Sequence, residues 1–164
     1  MKLRLAPALL LLAALLPSSA FAAGSAFQTY GPHIGFSSGP SQLVLGGQLQ
    51  MGDVAPNLDF VPSIDLGIGD NRTIVSLNGD FHYRFSISGA TWQPYAGGGV
   101  ALHFVSFDNP GPGGDDSDTR AGGTLVVGAD VPTKRGSRFF VEGKIGLADS
   151  PDFKAIAGWH FGRK

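Results

Sequence analysis

Cysteine is absent from all 164 residues of the chain, which excludes a disulfide framework and a lipid-modified cysteine. An excess of charge of either sign is also missing, since 12 lysines and arginines stand against 13 aspartates and glutamates. A nearly neutral chain lacks the basic surface that nucleic-acid binding requires. After residue 22, no apolar run approaches the ~20 residues of a membrane-spanning helix. We therefore do not expect the rest of the chain to cross a membrane with helices.

The first 22 residues have the pattern of a secretory signal peptide. Lys2 and Arg4 form a basic start, residues 8–16 form an apolar segment, and residues 20–22 give an A-x-A cleavage site. The apolar segment has roughly half the ~20 residues of a membrane span, so we expect cleavage after residue 22 and not an anchor. Cleavage removes two positive charges and shifts the formal net charge from −1 to about −3. Residues 23–164 then form one exported domain.

Glycine and turn-forming clusters are frequent, whereas long helical patterns are missing. The chain has 25 glycines and 11 prolines, and clusters such as SSGPS, IGDN and LADSPD contain the residues that tight turns require. These clusters divide the exported domain into segments of similar length, which predicts an all-β domain. The eight candidate strands are residues 26–37, 41–52, 58–68, 72–87, 92–106, 119–131, 137–148 and 152–162. Because their number is even, both chain ends are expected on the same side.

The stretch SLNGDFHYRFSI, residues 76–87, alternates between two chemistries. Apolar side chains such as Phe81 alternate with polar ones such as Asp80 and His82, and this period of two predicts a β-strand. Most of the other candidate strands also pair an apolar row with a mixed polar row. In a soluble barrel the apolar row would face a core, whereas in a small membrane barrel it faces lipid and the charges face inward.

Strand length and side-chain volume favour the membrane interpretation. The apolar row from Val75 to Ile87 covers 13 residues, more than the ~9 to 11 that a tilted strand needs to cross a bilayer. Globular strands are typically ~5 to 6 residues long. The polar row of the fifth candidate strand is mostly small, with Gly97, Gly99 and Ala101. Since side chains just fill an eight-stranded barrel, these small residues would make room for large charged ones.

Large aromatic side chains are expected near both ends of the strands. Amphipathic aromatics gather at membrane interfaces and form the girdles of outer-membrane barrels. With the N-terminus in the periplasm, Phe36, Phe104 and Phe153 fall near the outer rim. The acidic connection of residues 108–118 then lies outside the cell. The aromatics predicted at the periplasmic lipid interface are Tyr30, Phe60, Tyr83, Phe85, Trp92, Trp159 and Phe161.

In these features the chain resembles the small outer-membrane β-barrel proteins of Gram-negative bacteria, the class of OmpX-like, OmpA-barrel-like and OmpW-like proteins. The resemblance covers residues 23–164 and rests on the signal peptide, the amphipathic strands, WQPYAGGGVALHF at 92–104 and FKAIAGWHFG at 153–162. It implies an eight-stranded antiparallel up-and-down transmembrane β-barrel, porin-like in architecture, in the cell outer membrane. Members of this class usually end on an aromatic residue that is recognised during assembly, whereas here three residues, Gly162-Arg163-Lys164, follow Phe161.

Charged residues on the inward rows are predicted to close the barrel. An isolated buried ion is costly, so inward charges must be paired or hydrated. Both signs are present, and we expect three acids to neutralise three bases and to leave a filled lumen that conducts little or nothing. A gated ion path and catalysis are the alternative roles for these residues. The predicted lumen network consists of Asp65, Asp80 and Glu142 with Arg84, Lys144 and Lys154, together with His82.

The sequence offers no strong motif for catalysis or for a cofactor. All four histidines fall on inward rows, but no H-x-H or H-x3-H spacing indicates a zinc site. AGGGVA does not follow phosphate-loop spacing, and PGPGGDDSDT lacks the closing glutamate of a calcium loop. A hydrolase in the barrel wall would need an outward-facing histidine. We therefore expect no enzymatic activity, no metal and no cofactor. The histidines in question are His33, His82, His103 and His160.

The sequence thus predicts a monomeric integral outer-membrane protein with a structural or surface-interaction role. Its expected partners are outer-membrane lipid and lipopolysaccharide, and the barrel-assembly machinery during insertion. No nucleic-acid partner is expected. Two alternatives stay open. One is a soluble periplasmic lipocalin-like barrel that binds a small apolar ligand between inward apolar faces, and the other is a narrow low-conductance channel.

Overall fold

The structure, a computed structural model, describes residues 27–69, 71–108, 117–133 and 136–162. The predicted signal peptide, residues 1–22, lies outside the described residues. The strands are β1 (Phe27–Ser38), β2 (Gln42–Ala55), β3 (Leu58–Gly69), β4 (Arg72–Arg84), β5 (Gln93–Phe107), β6 (Ser117–Pro132), β7 (Arg138–Ala148) and β8 (Phe153–Gly162). The described part of the chain holds no helix long and apolar enough to span a membrane.

The eight strands form a closed barrel in which every strand pairs antiparallel with its sequence neighbours. Closure is made by β1 and β8, where Ile34 lies opposite Ala157 and Tyr30 opposite Phe161. A closed barrel has no free strand edge, so every strand finds hydrogen-bond partners on both sides. The predicted all-β, eight-stranded antiparallel fold is confirmed. We call the end that carries Phe27 and Gly162 the proximal end and the opposite end the distal end.

Short turns join the strands at positions that the sequence marks. Between β2 and β3, Pro56 is followed by Asn57 with a φ of 61°, the proline and left-handed asparagine that a type II turn favours. Between β3 and β4, Asn71 has a φ of 65°. Between β1 and β2, Gly39 has a φ of 62°. Glycine and asparagine adopt this conformation more easily than most residues, which explains the predicted turn clusters.

Most strand ends lie within two residues of the predicted ones, and the two largest differences are at the ends of β2 and β4. β2 continues to Ala55 instead of residue 52, because the pairing with β3 shifts register between Met51 and Ala55. Such an irregularity adds residues to one strand without ending it. β4 ends at Arg84 instead of residue 87, because its pairing with β3 stops at the pair of Leu58 and Tyr83. The alternation beyond Arg84 continues in sequence but has no neighbouring strand to pair with on that side.

The two faces of the wall have opposite chemistry. Within β4, the Phe81 side chain is 43% exposed, whereas Asp80 and His82 on either side of it are 0% and 4% exposed. Exposed large hydrophobic residues, among them Ile34 and Leu45, recur on most of the other strands. The apolar rows therefore face outward and the polar rows face the lumen. The lipocalin-like alternative required the reverse orientation and is wrong.

Glycines on the inward rows leave room for the charged side chains. A Cβ added at Gly99 would collide with the Asp80 carboxylate, and one added at Gly46 would collide with His33 and Asp65. Gly99 of β5 therefore makes room for a charged side chain, as predicted. At Gly97 an added Cβ would instead collide with the backbone of Phe81. An eight-stranded barrel has no spare interior volume for both a Cβ and these groups.

Candidate functional site

The lumen is the candidate site, because the structure buries the chemistry of the chain there. Six of the seven residues of the predicted network are buried inside the barrel, and Arg84 is partly buried near the proximal end. The six buried residues are Asp65, Asp80, His82, Glu142, Lys144 and Lys154. Alternation in β3, β4, β7 and β8 turns these side chains inward, and the cross-lumen distances determine which of them meet.

A central cluster is formed by Asp80, Thr124, Glu142 and Lys144. The Lys144 Nζ atom lies 2.6 Å from Asp80 Oδ2 and 3.3 Å from Glu142 Oε1. The Thr124 hydroxyl donates a hydrogen bond of 2.7 Å to the other Asp80 oxygen. One ammonium thus links two carboxylates, one on its own strand and one on β4. The structure thus brings Asp80, Glu142 and Lys144 of the predicted network together.

A distal cluster is formed by His33, Asp65, Asn78 and Lys154. The Lys154 Nζ atom lies 2.5 Å from Asp65 Oδ2, and His33 Nε2 lies 2.8 Å from Asp65 Oδ1. The Asn78 amide donates a 3.1 Å hydrogen bond to Asp65 as well. Three strands besides β3 therefore supply partners to a single carboxylate, since β1, β4 and β8 carry these residues.

A proximal cluster contains the base whose partner differs from the prediction. Arg84 donates a 2.9 Å hydrogen bond from Nη2 to Asp59 Oδ1, and not to one of the three predicted acids. The Gln50 amide donates a 2.6 Å bond to the second Asp59 oxygen. Asp59 is fully buried and stands directly opposite His82 in the β3–β4 ladder. The alternation of β3 places Asp59 on the inward row, but its pairing with Arg84 could be inferred only from the register between β3 and β4.

The same proximal cluster includes a second ion group. Arg138 donates a 2.8 Å hydrogen bond to Gln50 Oε1 and lies 3.7 Å from Asp130 Oδ2. His160 Nδ1 lies 3.2 Å from Asp130 Oδ1. Asp130 and Arg138 lie outside the predicted network, although both carry charge on inward rows. Their positions on inward rows were the feature of the sequence that could have identified them as lumen residues.

The four histidines are spread along the lumen from its proximal to its distal end. His33 and His160 belong to the distal and proximal clusters, and His82 Nε2 lies 3.8 Å from Glu142 Oε2. His103, near the distal mouth, contacts Ser76 Oγ at 2.8 Å through Nδ1 and Ser150 Oγ at 3.1 Å through Nε2. Within the described residues, no three metal-ligating side chains are grouped to hold a metal ion.

Two aromatic rings lie among these charges. Phe140 is fully buried and Tyr95 is 4% exposed, and both project inward from the third residue of their strands. The Tyr95 hydroxyl donates a 2.8 Å hydrogen bond to Glu142. Phe140 packs with Val44 and Ile156. Neither ring was among the predicted site residues.

Between the clusters, the lumen contains a cavity far smaller than those at its mouths. A cavity beside Asp65, Lys154 and Val44 has a volume of about 10 Å³, which is at most the space of one water molecule. Larger cavities lie at the mouths, with about 270 Å³ at the proximal end near Arg138 and about 210 Å³ at the distal end near His103.

Aromatic side chains concentrate at the proximal end of the outer surface. The Tyr30 and Phe161 rings lie 5.8 Å apart, and the Trp159 ring lies 5.1 Å from Phe139. The structure places all seven predicted interface aromatics at this end, but two of them lie in the β4–β5 connection, residues 85–92, and not within a strand as predicted. These two are Phe85 and Trp92.

Comparisons with known proteins bear on the fold. No protein family and no curated protein sequence matches the chain. The N-terminal β-barrel domain of Pseudomonas aeruginosa OprF superposes with a TM-score of 0.68 at 12% identity, over 83% of this chain and 96% of that domain. Neisserial surface protein A superposes with a TM-score of 0.58 at 15% identity, over 83% of this chain and 94% of that one. A de novo designed transmembrane β-barrel gives 0.51 at 14% identity, over 84% and 95%. The chain thus has the fold of small eight-stranded outer-membrane β-barrels, as predicted.

Proposed function

We propose that this protein is a monomeric integral outer-membrane barrel with a filled polar lumen, which acts as a structural or surface-interaction protein and performs no catalysis. One observation carries the proposal: the charged side chains are buried inside the barrel in mutual contact, while the apolar side chains cover its outside. Such an inverted arrangement is stable in a bilayer, where an apolar exterior meets lipid.

The outer surface supports insertion into the outer membrane. Its apolar rows end in aromatic side chains at the proximal end, which suits an interface with lipid headgroups. In this proposal the signal peptide directs export, and the barrel-assembly machinery inserts the chain. The partners of the inserted barrel are lipid and lipopolysaccharide, and nucleic acid is not among them.

The lumen contacts support a structural role because they connect distant strands. Lys144 on β7 meets Asp80 on β4, and Lys154 on β8 meets Asp65 on β3. Each pair therefore links parts of the wall that share no backbone hydrogen bonds. Removing one partner of such a buried pair leaves an uncompensated charge and costs about 3 to 5 kcal/mol. A barrel braced in this way is a rigid support for its distal connections.

A narrow low-conductance channel is the second candidate. The observation that favours it is polar groups in the lumen without protein partners, since His33 Nδ1 and Asn78 Oδ1 have no hydrogen-bond partner among the described residues. Buried polar atoms of this kind are commonly satisfied by water. Isolated waters do not form a path, so the filled barrel remains the leading proposal.

Fractionation and conductance together test the proposal. The full chain, expressed in a Gram-negative host, is expected in the outer-membrane fraction, and the folded protein is expected to change its apparent size on a gel when heated. Reconstituted in a planar bilayer, it should give no stable conductance steps. Recovery in the soluble periplasmic fraction would contradict membrane insertion. Large, reproducible steps would replace the filled barrel with the channel.

A further inference from the structure

The Phe140 ring lies between the proximal and distal clusters. Its centroid is 4.3 Å from that of His160, with an interplanar angle of 16°, and 6.3 Å from that of His33, in an edge contact. The ring also packs with Val44 on β2 and Ile156 on β8. From β7, this one side chain therefore contacts β8, β1 and β2, which are the next three strands around the barrel.

The Tyr95 ring lies in the lumen beside His82 and Glu142. Its centroid is 4.7 Å from that of His82, with an interplanar angle of 12°. Its hydroxyl reaches Glu142 on β7. From β5, this side chain therefore contacts β4 and β7. The two rings and their contacts reach from β4 to β7 and onward to β2.

Each ring packs against a glycine that stands opposite it on the neighbouring strand. A Cβ at Gly158 would lie 2.8 Å from Phe140 Cε1 and Cζ, and a Cβ at Gly128 would lie 2.5 Å from Tyr95 Oη. Distances this short do not occur between real Cβ atoms and their neighbours. Gly158 and Gly128 thus permit the rings to lie against the wall, and aromatic packing over strand glycines is a recurrent stabilising device in β-sheets.

We propose that these four rings, Phe140 and Tyr95 stacked with His160 and His82, form an aromatic septum that is the permeation barrier of the lumen. Phe140 is its principal element. This inference rests on the proposed function, a sealed barrel, and identifies what seals it. The ion clusters brace the wall, with Glu142 of the central cluster in contact with Tyr95, but in this proposal the exclusion of water and ions falls to the rings.

The chemistry of the two kinds of contact supports this division. A charged or hydrogen-bonding group can accept water in place of its partner, so an ion cluster admits solvent when it rearranges. The Phe140 ring offers no hydrogen bond to water and occupies volume. Hydrophobic constrictions close pores by dewetting, and apolar cavities remain dry even when they are large enough for water.

Conductance of three ring variants tests the septum. The refolded protein is reconstituted in planar bilayers as wild type, Phe140→Ala, Phe139→Ala and Tyr95→Phe. Phe140→Ala is expected to raise the frequency of openings several-fold. Phe139→Ala is the matched control, because it removes the same atoms from the neighbouring outward-facing residue, whose ring packs 5.1 Å from Trp159. Tyr95→Phe keeps the ring but removes its hydrogen bond to Glu142, and should stay closed.

A labelling experiment gives a second readout on folded protein alone. The chain has no cysteine, so Ser63→Cys, at a buried lumen position, introduces one reactive site. In vesicles, a water-soluble thiol reagent should label it several-fold faster with Phe140→Ala than with Phe139→Ala. Labelling is scored in the folded gel band, so a partly folded preparation still gives a result. If Phe140→Ala yields no folded band, Phe140→Leu, which leaves a smaller gap, takes its place.

The outcomes separate the septum from the sealed barrel. A wild type that conducts strongly would contradict the proposed function. A silent wild type with a silent, slowly labelled Phe140 variant would contradict the septum alone. Opening by Tyr95→Phe as frequent as by Phe140→Ala would also overturn it, because the hydrogen-bonded network would then be the seal.

Discussion

Phe81 and Asp80 are neighbours in β4, yet their surroundings make opposite demands. Phe81 is exposed on the outer wall, where a lipid environment accepts any apolar side chain and rejects charge. Asp80 is fully buried and depends on two specific partners, Lys144 and Thr124. The outer face is therefore specified by a class of residue, and the inner face by particular pairs. Predictions about the two faces differ accordingly.

The largest effect is expected from breaking a pair on the inner face. Lys144→Met keeps most of the side-chain volume but leaves Asp80 and Glu142 as adjacent buried carboxylates. Losing one partner of a buried ion pair costs about 3 to 5 kcal/mol, and we expect a decrease of this size in the free energy of unfolding. Urea titration of the protein in lipid vesicles measures it.

Neutralising the whole central cluster is the control for that variant. Adding Asp80→Asn and Glu142→Gln to Lys144→Met removes the uncompensated charges. Replacing a buried ionic group as a unit is often close to neutral, so the triple variant should regain most of the lost stability. A triple variant as unstable as Lys144→Met would show that the cluster contributes by packing and not by charge.

A charge on the outer face is expected to have the next largest effect. Phe81→Arg places a guanidinium against lipid, which costs about 2 to 4 kcal/mol at the membrane midplane and about 0 to 1 kcal/mol near an interface. Phe81 stands opposite Phe60 of the proximal aromatic group, so we expect a loss below the midplane figure. Phe81→Leu is the matched control and should cost much less, because it stays apolar. His82→Ala, one residue away on the inner face, should also cost less than the arginine. Equal losses for Phe81→Arg and Phe81→Leu would contradict contact with lipid.

Much of this contrast could be predicted from the sequence, because alternation alone decides which face a residue occupies. Parity placed Asp80 inward and Phe81 outward without any knowledge of strand order. Parity could not predict that Arg84 pairs with Asp59, because this contact depends on the register of β3 and β4, which sets Asp59 opposite His82 and diagonal to Arg84. The end of β4 was missed for a related reason, since it is set by where β3 turns at Asn57 and not by β4's own sequence.

The Phe140 ring shows a different limit of sequence reasoning. The alternation of β7 predicts that Phe140 faces inward. The role of a phenylalanine on a polar row cannot be inferred, however, until it is known which side chains lie at the same height in the lumen. The stacked His160 and the glycine at 158 lie on β8, and the apolar contact with Val44 comes from β2. The β7–β8 ladder sets Gly158 opposite Phe140, whereas the contact with Val44 of β2 forms only when the barrel closes between β8 and β1.

Chemical accessibility sharpens the comparison with a smaller perturbation. Phe81→Cys and His82→Cys each add one thiol to a chain that has none. In vesicles, we expect a water-soluble reagent to label neither position freely, since lipid covers the first and the filled lumen encloses the second. A membrane-soluble thiol reagent should label position 81 in preference to position 82. Rapid labelling of position 82 by the water-soluble reagent would count against the filled lumen.

The smallest effect is expected from an ion pair that resembles the inner ones in geometry alone. Arg120 Nε lies 2.8 Å from Asp118 Oδ2, close to the 2.6 Å between Lys144 and Asp80, but its two side chains are 41% and 47% exposed. Water and salt screen an exposed pair and hydrate each partner when the other is lost. We therefore expect Arg120→Met to leave the unfolding midpoint unchanged within error, at low and at moderate salt alike, in the titration that detects Lys144→Met. A loss for Arg120→Met comparable to that for Lys144→Met would mean that distance, and not burial, sets the strength of these pairs.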